Sequence, residues 1–311
     1  MDVRALGASG LATPRLVLGG NVFGWTATGE EAFRILDRFV EAGGTMIDTA
    51  DVYSSWVPGH EGGESERLLG DWLKRRGSAD AVMIATKVGY DEGLSAAHIE
   101  RAADASLQRL GVEAIDLYYA HKDDEATPLE ETLGAFDRLV RAGKVRAIGA
   151  SNYSAERLGA ALDLSEQAGL ARYDVLQPEY NLMRRESFEG PLQDLCVARG
   201  ITALPYFGLA SGFLTGKYRS EADFGKSVRG TRMAGYLNER GLRVLAALDD
   251  VAAETGATQA QLALAWLAAQ AVVAAPIASA TSLEQLEDLL GVLMLELSAD
   301  QVAALDAASG S

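Results

Sequence analysis

The feature that most constrains this chain is a recurrence of pattern, not of residues. Eight short runs of aliphatic and β-branched residues appear along it, each followed by a longer stretch with helical spacing. The runs are LVLGG (16–20), TMID (45–48), VMIATK (82–87), IDLYYAH (115–121), VRAIGAS (145–151), DVLQ (174–177), ITALPY (201–206) and VVAAPI (272–277). They are nearly continuously apolar rather than alternating, as strands buried on both faces are. Strands of that kind are covered by their own crossover helices and run parallel, and eight such units favour a closed (β/α)8 barrel over an open sheet. The expected architecture is therefore an α/β TIM barrel occupying residues 1–311 as a single domain, since no linker or low-complexity stretch divides it. The opening VRALGASGLATP predicts a small hairpin around Gly7 to Gly10 that closes the barrel bottom, and extra helices are expected near the C-terminus.

Helix boundaries can be read from caps. Thr28 with Glu31 opens the first helix, and Ser95 opens the third. In TPLEE, Thr127 reads as the cap, Pro128 as the first helical residue and Glu130 as completing the box. A loop rich in glycine and charge spans about 207–238, before the helices NERGLRVLAALDDVAAETG and TQAQLALAWLAAQ.

Charge narrows the function classes. The net charge of −16 argues against a general nucleic-acid or anionic-membrane binder, which needs cationic surface. A lone cysteine, Cys196, allows no intrachain disulfide, and its apolar helical setting reads as a buried structural thiol. MDVRALGASG lacks the basic and apolar regions of an export signal. AQLALAWLAAQAVVAAPIA reads as a buried helix followed by a strand, not as a membrane span. A cytoplasmic protein without a metal site is the expectation.

In barrels the functional groups gather at the C-terminal ends of the strands. Asp48 ends the second run and Tyr53 lies just beyond it; Lys87 ends the third and His121 the fourth. Ser151 and Asn152 follow at the fifth, Gln177 at the sixth and Tyr206 at the seventh. Each alone has an ordinary structural explanation. On successive strand ends they converge on one mouth, where groups costly to bury alone would be each other's partners.

With these residues in order, the chain resembles the aldo-keto reductases over nearly its whole length. The resemblance rests on MIDTADVYSS followed by GESERLLGDWL, then ATKVG, IDLYYAHKDD, GKVRAIGASNYS, VLQPEYNLM and ASGFLTGKY. It implies a barrel that binds NADPH without a Rossmann fold and moves hydride between the nicotinamide and a carbonyl. The family's catalytic tetrad falls on Asp48, Tyr53, Lys87 and His121. Tyrosine has an unperturbed pKa of about 10. A neighbouring ammonium favours phenolate, so Lys87 is expected to lower that value. Asp48 would hold Lys87 charged and oriented, and His121 would donate to the carbonyl oxygen.

The resemblance also assigns the cofactor. Ser151, Asn152 and Gln177 would hold the nicotinamide carboxamide, and Tyr206 would stack on the ring. The loop with Phe207, Gly208, Leu209, Ser211 and Gly212 would offer backbone N–H groups to the pyrophosphate, with Lys217 as a point charge. Ser279, Thr281 and Gln285, at a helix N-terminus suited to anions, would take the adenosine 2′-phosphate. Phe23, Trp25 and Trp56 are the expected pocket walls, together with His121.

Four positions depart from the family pattern. Gly208 stands where many relatives carry proline, which would free the loop backbone. Ser279 replaces a common glycine, Ser282 a frequent basic residue, and Leu289 a common asparagine. The missing cation weakens selection for a 2′-phosphate. NADPH is the expected cofactor, with NADH or dual use as the alternative. Arg229 or Arg232 is a candidate to supply the missing charge from the long loop. The partner is a small carbonyl or alcohol. The competing reading is a regulatory or scaffold protein that keeps the barrel and cofactor but acts through partners, as some family members do on ion channels.

Overall fold

The structure is a computed structural model that describes residues 2–78, 82–226 and 230–310. The chain opens with the antiparallel hairpin β1 (Val3–Ala5) and β2 (Ala12–Pro14). Strands and helices then alternate: β3 (Val17–Gly19), α1 (Gly29–Glu41), β4 (Met46–Asp48), α2 (Glu64–Arg76), β5 (Met83–Val88) and α3 (Ala96–Leu110). Next come β6 (Ile115–Ala120), α4 (Leu129–Arg141), β7 (Val145–Ser151), α5 (Ala155–Ala168), β8 (Tyr173–Gln177), α6 (Pro191–Arg199) and β9 (Thr202–Ala203). The C-terminal part carries α7 (Glu239–Thr255), α8 (Gln259–Ala269), β10 (Ile277–Ala278), α9 (Leu283–Leu290) and α10 (Ala299–Ser309).

Eight parallel strands hydrogen-bond in the order β10-β3-β4-β5-β6-β7-β8-β9. The ends of that order meet. Ala203 N donates to Val272 O at 2.8 Å, Ala274 N to Ala203 O at 3.0 Å and Ile277 N to Pro205 O at 2.8 Å. The eighth expected strand is thus shorter and later than VVAAPI suggested: Val273 makes only an isolated bridge to Ala203, and regular pairing begins at Ile277. Pro276, which has no N–H to give to a ladder, separates the two pieces.

Inside the ring, Met46, Ala85, Leu117, Tyr119 and Val175 form one apolar cluster, and Leu6 of the hairpin joins it from below, fully buried. The hairpin is tied down by Gly7 N donating to Thr202 Oγ1 at 2.8 Å and by Arg4 Nη1 donating to Val273 O at 3.0 Å. The Tyr119 ring dictates its neighbour on β7. A Cβ on Gly149 would lie 2.5 Å from Tyr119 Cε1, so only glycine fits there. The larger cluster lies between the strands and the helices, with Phe39, Trp72, Phe136 and Trp266 buried in it. α7 and α10 supplement the alternating helices; the guanidinium of Arg240, on α7, donates to Ser309 O at 2.7 Å.

Several caps differ from the sequence expectation. Thr28 and Ser95 stand at N-cap positions but their side chains accept no capping bond. The α4 cap is Pro128, one residue later than expected; Thr127 is drawn to Asp124, its hydroxyl donating at 2.6 Å. Thr258 and Ser298 each form complete capping boxes, with Gln261 and Gln301. Cys196 is fully buried, and burial pushes its thiol up to about 12. Among the described residues no helix is long and apolar enough to cross a membrane.

Candidate active site

The four expected residues meet at the mouth formed by β4, β5 and β6. Side chains alternate along a strand, so on β5 Thr86 faces the helices and Lys87 the interior. Lys87 is fully buried. Its ammonium donates to Asp48 Oδ2 at 2.7 Å, to Thr49 O at 2.7 Å and to Tyr53 Oη at 3.0 Å. All three of its N–H groups are thereby satisfied. Asp48 Oδ1 accepts from Gln177 Nε2 at 2.8 Å, and Tyr53 donates to Asp48 Oδ2 over a longer 3.5 Å.

Thr86, on the outer face, helps hold the strand that carries Lys87. Its hydroxyl donates to the buried Glu66 at 2.6 Å, and Glu66 also accepts from Arg109 Nε at 2.6 Å. β5 is thus stitched to α2 and α3. The turn that carries Tyr53 is fixed by Ser54, which lies in the left-handed region at φ 74° while its hydroxyl donates to Phe23 O at 3.2 Å. A non-glycine residue holds such a backbone only when its surroundings impose it.

The electrostatics differ from expectation at Tyr53. Burial, and then the Asp48 charge, push the phenol well above its ordinary value of 10. The desolvation of a buried phenolate outweighs the nearby ammonium, so Tyr53 is a neutral acid at physiological pH. Burial lowers Lys87, with the Asp48 carboxylate opposing that shift. Burial and the charges of Lys87 and Lys122 bring His121 down to about 2, which leaves a neutral imidazole. Its Nδ1 has no protein partner among the described residues.

The polar groups expected at the nicotinamide form a chain. Ser151 donates to Gln177 O at 2.8 Å, Asn152 Nδ2 donates to His121 O at 2.9 Å, and Tyr206 Oη donates to Asn152 Oδ1 at 2.7 Å. Asn152 is itself left-handed, at φ 57°. Beyond Tyr206 the loop turns sharply, with Phe207, Ala210, Ser211 and Gly212 all at positive φ. Leu209 is half-buried against the core. Gly208 is buried, and a Cβ there would lie 2.8 Å from Leu264 Cδ2 on α8. Lys217 Nζ lies 5.2 Å from the centre of the Tyr218 ring.

At the α9 end, Ser279 donates to Asn21 Oδ1 at 2.8 Å. Gln285 Oε1 accepts from Thr281 N at 3.0 Å, while Ser282 caps the helix by accepting from Gln285 N at 3.3 Å. No cation stands in this turn; Glu284 occupies it. Arg232 is exposed on the long loop, and Arg229 lies outside the described residues.

Of the expected walls, Trp25 and Trp56 meet edge to face with centroids 5.7 Å apart. Phe23 is fully buried in the core and presents no surface to the mouth. Sequence reasoning missed Tyr90, whose ring centre lies 4.8 Å from that of His121, although it stands only three residues beyond Lys87. It also missed Asp51, near Lys87, which burial and the Glu66 charge push up to about 7. Asp51 Oδ1 is buried with no hydrogen-bond partner among the described residues.

Comparison with known proteins adds independent findings. The aldo/keto reductase family model matches residues 15–309. The chain is 33% identical to an L-glyceraldehyde 3-phosphate reductase of Escherichia coli, over 98% of this chain and 92% of the relative. It is 32% identical to the aldo-keto reductase yakc of Schizosaccharomyces pombe, whose name carries NADP(+), over 85% of this chain and 78% of that one. It is also 32% identical to a probable voltage-gated potassium channel subunit beta of Arabidopsis thaliana, over 93% of this chain and 90% of that one.

Proposed function

The chain belongs to the aldo/keto reductase family, and from that premise we propose that it is an NADP(H)-dependent reductase of aldehydes and ketones, with Tyr53 as the proton donor. The observation that carries the reading is the Lys87 ammonium, whose three N–H groups are shared among Asp48, Thr49 O and the Tyr53 oxygen. Reduction of a carbonyl needs a weak acid next to the oxygen, neutral before transfer and stabilised as an anion after it. Burial keeps Tyr53 protonated, and Lys87 at 3.0 Å is placed to stabilise the phenolate once its proton has left. Asp48 holds that ammonium in register. Neutral His121 donates one N–H toward the same oxygen and, being uncharged, adds no competing acid.

The residues present fit a nicotinamide dinucleotide. Ser151, Asn152 and Gln177 supply donors and acceptors at one end of the mouth, and Tyr206 supplies an aromatic face. The loop from Phe207 to Gly212, with four residues at positive φ, has the sharply turned backbone on which phosphate cradles are built, and Lys217 follows it. When bound, that group supplies hydride to the carbonyl carbon. Ser279, Thr281 and Gln285 would receive the adenosine end. With no cation in the first turn of α9, discrimination for the 2′-phosphate is expected to be weak, and NADH to serve as well. The identity with yakc favours NADP(H) as the primary partner.

The test is NADPH oxidation with a panel of simple aldehydes and ketones, wild type against Tyr53→Phe, with NADH alongside. Turnover by wild type and a loss of at least about a hundredfold in kcat for Tyr53→Phe support the reading. Equal turnover by both proteins would sink the role of Tyr53. The likeness to a channel beta subunit supports a second reading, a cofactor-binding partner protein. Tight NADPH binding without turnover of any carbonyl would favour it.

A further inference from the structure

Lys122 follows His121 directly at the end of β6, and its ammonium lies 4.9 Å from the centre of the Tyr90 ring. The same ring lies 4.8 Å from the His121 imidazole. The Tyr90 ring is therefore shared by the buried imidazole of His121 and the exposed ammonium of Lys122, beside the place where a carbonyl oxygen would meet His121. We propose that Lys122, seated on Tyr90, is an anion subsite, and that the substrates of this enzyme are aldehydes or ketones bearing a carboxylate or phosphate several bonds from the carbonyl. The proposal rests on the reductase reading and names its substrate class.

The charge of Lys122 is left uncommitted by its surroundings. Among the described residues Lys122 shares the lack of a carboxylate partner with Lys74, Lys217, Arg101, Arg232, Arg240 and Arg243; what sets it apart is its place beside His121, seated on the ring that His121 also touches. The two residues that follow it are acidic but engaged elsewhere. Asp123 pairs with Arg157 at 2.8 Å, and Asp124 accepts from Leu94 N at 2.8 Å and from the Thr127 hydroxyl at 2.6 Å. No carboxylate lies within ion-pair distance of Lys122 among the described residues, and the Tyr90 face is the contact that positions it. Tyr90 is 45% exposed, so the pair faces the solvent that a substrate would displace.

Topology says which ligand this charge serves. In the closed strand order, β6 is four steps from β10 in either direction. Lys122 therefore stands across the barrel from α9, where the adenosine phosphate of the cofactor would lie. Lys217, which follows β9, is on the cofactor's side. A cation at the β6 end is placed to meet the far end of a substrate.

The experiment compares para-formylbenzoate with its methyl ester, and para-formylphenyl phosphate with benzaldehyde, in wild type, Lys122→Gln and Lys122→Glu. Wild type should favour each anion by about fivefold in kcat/KM, carried by KM, and the preference should fade as salt is raised. Lys122→Gln should abolish the preference and Lys122→Glu reverse it. An unchanged preference in Lys122→Gln, or none in wild type, overturns the proposal. Calorimetric binding of the unreactive para-(hydroxymethyl)benzoate is measured in parallel. Turnover of the neutral aldehydes with no effect of Lys122 refutes the subsite alone. Lys122-dependent binding without turnover of any aldehyde keeps the subsite and refutes the reductase reading.

Discussion

At the scale of single residues, the candidate site consists of groups that cannot be changed independently. Removing the Lys87 ammonium leaves Asp48 as a buried carboxylate that keeps only its bond from Gln177 and the long one from Tyr53. Lys87→Met is therefore expected to lose at least about a hundredfold in kcat and also about 3 kcal/mol of stability. Steady-state kinetics and urea unfolding on the same preparation would show both losses, and a catalytic loss alone would contradict this account. Asp51 gives a sign that can be checked. Its carboxyl is held near 7, against an ordinary value of 3.8. The folded chain thus keeps a proton that the unfolded chain releases. That contribution is complete below the unfolded value and is lost as pH rises through the folded one. Asp51→Asn should stabilise the protein by on the order of 4 kcal/mol at pH 8 and by little at pH 4, measured by denaturant unfolding. His121 has the opposite sign, because its folded value of about 2 lies below the ordinary 6.5. Its neutral form favours the fold above the ordinary value and ceases to as the solution is acidified.

At the scale of elements, helix caps separate what a sequence signals from what a structure uses. Thr28 and Ser95 read as caps but accept no capping bond, while Thr258 and Ser298 make complete capping boxes. Thr258→Ala and Ser298→Ala should each cost about 1 kcal/mol, while Thr28→Ala and Ser95→Ala should cost a few tenths at most; chemical denaturation resolves the difference. Strand β7 was fully legible, since VRAIGAS coincides with Val145–Ser151. VVAAPI was less so, because proline and the barrel seam decide where pairing begins, and the seam is a contact with β9 across some seventy residues of chain. Asp48, Lys87 and His121 were legible because each ends an apolar run on a polar residue, and Tyr53 because it lies just beyond one. Tyr90 and Lys122 were not, since an exposed aromatic and a lysine beside a histidine look ordinary until the fold sets one on the other. The direction at Tyr53 was misjudged for a related reason: an ammonium neighbour could be inferred from the sequence, but the depth of burial could not.

At the scale of the whole molecule, the hairpin and the net charge set the overall stability. Leu6 fills the bottom of the barrel and is completely enclosed. Leu6→Ala should cost about 2–5 kcal/mol by leaving a void there, seen as a lower midpoint in thermal unfolding. A net charge of −16 on 311 residues makes the folded state repel itself. Raising sodium chloride from about 10 mM to about 150 mM shortens the Debye length to about 8 Å and should raise the melting temperature; a fall would mean that the surface ion pairs outweigh the repulsion. The repeating strand-and-helix pattern made the barrel readable, because every unit carries the same physical signal. The mouth is a meeting of different units, and its distances exist only once the ring has closed.

The four tryptophans divide the same way. Trp72 and Trp266 are enclosed, their indole N–H groups donating to Asp37 at 2.8 Å and to Asp306 at 3.1 Å. Trp25 and Trp56 stand edge to face at the mouth, with Trp56 48% exposed. The protein thus carries two sets of intrinsic fluorophores. Emission from the enclosed pair reports on folding. Emission from the mouth pair, red-shifted by water and coupled through its 5.7 Å separation, should be quenched as the pocket fills. Occupancy could then be followed by light alone, without a label and without turnover.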